Sequence, residues 1–128
     1  MQLLLDTHIL LWVLTDDPRL PGEIRTLLLA EETELFFSTA SIWEVSIKSS
    51  LKRPDFPYDP SVIRKALLEN GYAELPITGE HAVFVGSLPT LHADPFDRML
   101  IAQANVEGML LITHDSKLDG YPGPIRRI

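Results

Sequence analysis

Two short runs, Leu3-Leu4-Leu5 and Met109-Leu110-Leu111-Ile112-Thr113, are almost wholly apolar and show no alternation. A strand with one wet face alternates in polarity. A run without alternation fits a strand covered on both faces, as in a parallel sheet. The first run ends directly in Asp6-Thr7, and the second is followed closely by an acid in His114-Asp115. Further strands are expected at Glu34–Ser38 and Ala73–Ile77, with an edge strand at Ile125–Ile128. Helical stretches fall between them. Thr7 is expected to cap a helix through Leu14, with a second helix over Pro21–Ala30. Ser38 or Thr39 caps a helix from about Ala40 to Leu51. Another helix runs from Ser61 to Asn70 and stops at Gly71, and one more runs from Thr78 through Val85. Lys52–Pro60 holds Pro54, Pro57 and Pro60 and reads as a loop. Strands alternating with helices predict an α/β fold, a three-layer α/β/α sandwich around a mainly parallel central sheet. The 128 residues suit a single domain, 1–128, and 45% hydrophobic residues are enough to build its core.

The chain has no cysteine, which excludes a disulfide framework and thiolate chemistry and fits a reducing, cytoplasmic setting. No apolar run approaches the ~20 residues of a membrane span, and the N-terminus has no basic region of the signal-peptide kind. The formal charge of −7 argues against non-specific nucleic-acid binding. It is also what a cluster of metal-holding carboxylates gives when the ions are left out of the count.

The helix after Pro89 separates two neighbouring acids. Asp94 suits the N-cap and Pro95 the first helical position. Asp97 then falls in the first turn, where free N–H groups and the helix dipole favour a carboxylate. Leu100, Ile101 and Ala104 follow at helical spacing, so Asp97 lies on or beside the inward face and needs a partner there. The helix should end near Gly108. Glu44 lies early in the helix after the second strand, with Ala40, Ile47 and Leu51 at helical spacing. Its bland reading is an i,i+4 pair with Lys48. Asp6 and Asp115 stand at strand ends, where ligands of parallel α/β sheets bind. Each acid alone reads as a cap or a turn. Asp6, Glu44, Asp97 and Asp115 together read as a site, because a divalent cation removes the repulsion among converging carboxylates. Magnesium favours a few carboxylates with water and phosphate oxygens. Two such ions ~3.5–4 Å apart can activate water and stabilise the leaving oxygen of a phosphodiester. His8, His92 and His114 read as surface residues, since hard oxygen sites seldom use imidazole.

The stretches Leu3–Trp12, Ser38–Lys48, Leu75–Ile77, His92–Ala104 and Leu110–Asp115 resemble, in order, the motifs of PIN-domain proteins, above all the VapC-type toxins of toxin–antitoxin pairs. The resemblance implies a sheet ordered 3-2-1-4-5 and a Mg²⁺- or Mn²⁺-dependent endoribonuclease. It implies that Asp6 and Asp97 hold the main ion, with Asp115 and Glu44 completing the site and Asp94 as an outer ligand. It also implies a homodimer and a small VapB-like antitoxin that covers the site. Leu10, Trp12, Leu14 and the proline-rich loop are candidates for that contact. An acidic chain that takes RNA needs a local basic rim. Lys48, Lys52, Arg53, Arg98, Lys117, Arg126 and Arg127 are candidates, with Arg98 and Lys48 nearest the acids. The competing readings are a flap-type DNA nuclease of the same family and a non-catalytic PIN binding module.

Overall fold

The computed structural model describes residues 1–128. Its elements run β1 (Gln2–Leu5), α1 (Thr7–Leu14), α2 (Gly22–Leu29), β2 (Glu34–Ser38), α3 (Thr39–Ser50), α4 (Pro60–Glu69) and β3 (Ala73–Leu75). They continue with α5 (Gly79–Val85), α6 (Pro95–Glu107), β4 (Leu110–Thr113), a 3₁₀ turn (Ser116–Leu118) and β5 (Ile125–Arg127). The five strands form one sheet of order β3-β2-β1-β4-β5, with every pairing parallel. The sheet and its flanking helices are those of the PIN-like α/β/α fold.

Leu3, Leu4 and Leu5 are each 0% exposed, which is why β1 carries no polar face. Leu3 and Leu5 pack with Ile9, Ile24, Val45 and Leu67 from the α1–α4 layer, whereas Leu4 packs with Leu100, Ile101 and Ala104 of α6. Each such buried leucine contributes roughly 1.5–3 kcal/mol relative to exposure. The chain leaves β1 toward β2 and β3, then returns through α5 and α6 to β4 on the other side of β1. That reversal is the switch point of the sheet, and the crevice beyond its strand ends is open to a ligand. Helix α6 leads back to the start of β4, so its first turn lies at the same edge of the sheet as the ends of β1 and β4.

Several local details differ from the sequence reading. Asp6, not Thr7, occupies the cap position of α1, and the Thr7 hydroxyl donates instead to Ser41 Oγ at 2.9 Å. β3 ends at Leu75, because Pro76 brings no N–H to continue the ladder. Ile47 and Leu51 of α3 are exposed; its buried stripe is Ala40, Ser41, Glu44 and Val45. Leu10 and Trp12 belong to the core, so they offer little surface to a partner. The other ends follow local chemistry. Asp94 accepts from the N–H groups of Phe96 and Asp97, Pro95 opens α6, and Gly108 closes it at φ 70°.

Candidate metal centre

The ladder between β1 and β4 pairs Leu5 with Ile112, so Asp6 and Thr113 follow in step. The Thr113 hydroxyl donates to Asp6 Oδ2 at 2.6 Å and accepts from the Asp115 N–H at 3.1 Å. One buried hydroxyl thus ties the first acid to the backbone of the last. Asp6 stands at the N-cap of α1, yet its side chain makes no capping bond. Asp115 puts one oxygen into the turn, accepting from the Lys117 N–H at 2.9 Å. Asp6 and Asp115 share a cleft of about 370 Å³ with His8, Trp12, Arg19, His114 and Ser116.

Asp97 comes from the first turn of α6. With Asp94 acting as the cap, the Asp97 carboxylate is left over, as the sequence anticipates. It is 8% exposed, and its Oδ2 lies 2.9 Å from His92 Nε2. Ligand atoms of His92, Asp94 and Asp97 all fall within 4.8 Å of one another. Burial, then the charges of Asp6 and Asp94, push the Asp97 carboxyl up to about 7; the His92 hydrogen bond opposes this and the Glu44 charge adds to it. Asp6 is also held above the usual carboxylate range, first by burial. Its bond to Thr113 and the nearby His8 oppose the rise, and Glu44 adds to it. These mutual effects bring Asp6, Glu44, Asp94 and Asp97 into one electrostatic neighbourhood. Asp115 joins through the cleft and Thr113 and is not among the charges acting most strongly on Asp97.

Glu44 is 6% exposed and meets Lys48 Nζ at 2.8 Å, so both its site position and its i,i+4 pair are present. Arg98 turns into the protein, donating to the carbonyls of Pro89 at 2.8 Å and Val85 at 3.2 Å. The tail cations are paired as well, Arg126 with Glu23 and Arg127 with Asp119, and Arg53 pairs with Asp55. Sequence reasoning missed the place of His92 against Asp97 and the part played by Thr113. A polar Thr closing an apolar strand two residues before an acid is the signal that could have found the second.

The donor set suits a hard divalent cation. Asp6 and Asp97 are buried carboxylates with no Lys or Arg paired to either, and such charges call for a counter-ion. Fold and site define a class: a parallel α/β protein with an acid-lined crevice at the switch point of its sheet. The PIN domain family model matches residues 3–124, and the chain belongs to that family. No curated relative matches at the sequence level. Among solved structures, the chain is similar to VapBC2 from Rickettsia felis bound to a DNA fragment from its promoter. There the TM-score is 0.75 at 18% identity, covering 99% of this chain and 98% of that one. It is also similar to DNA-bound VapBC from Salmonella typhimurium (TM-score 0.70, 17% identity, coverage 99% and 98%). VapBC-1 from nontypeable Haemophilus influenzae follows with TM-score 0.66, 19% identity and the same coverage. No helix is long and apolar enough to cross a membrane.

Proposed function

We propose that this chain is a divalent-metal-dependent endoribonuclease, the VapC-type toxin of a toxin–antitoxin pair. The carrying observation is that Asp6, at the end of β1, and Asp97, in the first turn of α6, are both buried and close enough for the Asp6 charge to act on Asp97, with no Lys or Arg paired to either. Membership of the PIN family and likeness to VapBC structures support the toxin assignment.

Asp6 and Asp97 would hold Mg²⁺ or Mn²⁺, with Glu44 and Asp115 completing the site. When bound, the cation supplies Lewis-acid activation of water and charge stabilisation at the phosphodiester. Thr113 fixes the rotamer of Asp6, and His92 orients Asp97 through Oδ2. Lys48 holds Glu44 in place through their ion pair at 2.8 Å. In-line displacement by water leaves 5′-phosphate and 3′-hydroxyl ends. The substrate is RNA in the cytoplasm, the active form is a homodimer, and a small VapB-like antitoxin occludes the cleft.

The test incubates purified protein with matched RNA and DNA strands in Mg²⁺, Mn²⁺ or EDTA. RNA cleavage should need metal and disappear in Asp6→Asn and Asp97→Asn, with the fold retained by circular dichroism. Cleavage of DNA alone moves the assignment to the flap-type reading. Full activity of Asp97→Asn ends the metal assignment.

A further inference from the structure

The cleft beside Asp6 and Asp115 is not walled by acids alone. The Arg19 guanidinium lies 4.9 Å from the centroid of the Trp12 ring, and bonds of 3.1 and 2.8 Å to the Asp17 carboxylate hold it there. The His114 ring packs against the same indole, 5.0 Å between centroids at 58°. Its Nδ1 lies 2.6 Å from the backbone oxygen of Ile128, which fixes the plane of the ring. The indole is only 6% exposed, so it backs the other two groups rather than meeting a ligand itself. The Arg19 side chain is 68% exposed, and His114 is exposed too. Two planar groups, each held in orientation, thus line the same space of about 370 Å³ as Asp6 and Asp115. That volume falls within the ~300–1,000 Å³ typical of small-ligand pockets. Flat π-faces and guanidinium planes are the surfaces on which unstacked bases of single-stranded RNA pack.

We propose that this cleft is a nucleobase subsite, in which the base next to the phosphodiester held at Asp6 and Asp115 packs on His114 and Arg19. The subsite rests on the nuclease reading and deepens it. Contact is with the face of the base and not its hydrogen-bonding edge, so the subsite adds affinity without reading sequence.

The experiment uses Trp43→Phe, which leaves Trp12 as the only tryptophan of the two. Adenosine 5′-monophosphate and ribose 5-phosphate are titrated in Mg²⁺ while Trp12 fluorescence is followed, and binding is measured by calorimetry. The nucleotide should quench Trp12 and bind about tenfold more tightly than the sugar phosphate, in the range of a single stacked base. His114→Ala and Arg19→Ala should each remove that advantage and leave ribose 5-phosphate binding unchanged. Arg19→Lys keeps the charge but loses the plane, and should lose the advantage as well. In RNA cleavage both alanine variants should raise KM several-fold and leave kcat within about twofold. Equal binding of the two probes, or an advantage that survives both substitutions, overturns the subsite. Cleavage of RNA without a base advantage refutes the subsite alone. A base advantage without metal-dependent cleavage refutes the nuclease reading alone.

Discussion

Replacing Asp97 by Asn should stabilise the metal-free protein at pH 8 and make no difference at pH 4. In the folded chain the Asp97 carboxyl rises from 3.8 to about 7, chiefly through burial and the Asp6 charge. The folded state therefore holds a proton that the unfolded state has released across that interval. Stability is fully present below pH 4 and is lost as pH climbs through about 7. At about 1.4 kcal/mol per pH unit the loss amounts to roughly 4 kcal/mol. For a chain of this size that is on the order of 10 °C in Tm. An asparagine in its place would keep the shape and the contact with His92 but carries no charge to release. Thermal denaturation in EDTA from pH 4 to 8 should show two curves that start together and diverge, with the variant higher. Asp6 tilts both curves in the same direction, so their difference reports Asp97 together with its coupling to Asp6. Excess Mn²⁺ at pH 8 should lift the unsubstituted chain and not the variant, by about 2.7 kcal/mol at a hundred times Kd. A variant no more stable than the unsubstituted chain at pH 8 in EDTA would refute the idea that Asp97 is an uncompensated buried acid.

Three further perturbations follow from the same geometry. Thr113→Val removes the donor to Asp6 and the acceptor for the Asp115 N–H, and should cost about 1–3 kcal/mol by urea denaturation together with a weaker Mn²⁺ affinity by calorimetry. His92→Ala takes away the bond that lowers the Asp97 pKa, so the pH midpoint of Mn²⁺ binding should move upward; an unchanged midpoint counts against that contact. His81 is 0% exposed, caps α5 with Thr78 and meets Glu107 Oε2 at 2.7 Å, so His81→Ala should cost about 2–4 kcal/mol by thermal denaturation while metal affinity stays the same.

The parts of the fold legible from sequence were those set by local pattern. The two apolar runs are β1 and β4, two of the three inner strands, and both faces of each are covered. The division of labour between Asp94 and Asp97 was legible because capping and burial act within one helical turn. What pattern could not show depends on distance in space. Ile47 and Leu51 look like core residues by spacing, but no element lies over that face of α3. Arg98 adjoins Asp97 in sequence, yet consecutive helical residues diverge, and its guanidinium serves the carbonyls of the preceding loop. His92 is brought to Asp97 by the turn before α6, and Thr113 to Asp6 by strand register; neither relation leaves a periodic trace.

Asp6 and Thr113 are separated by 107 positions and meet only when β4 lies against β1. A ribosome must therefore deliver the chain through β4 before the floor of the crevice exists. Growing polypeptides short of that strand carry the first acid without its anchor.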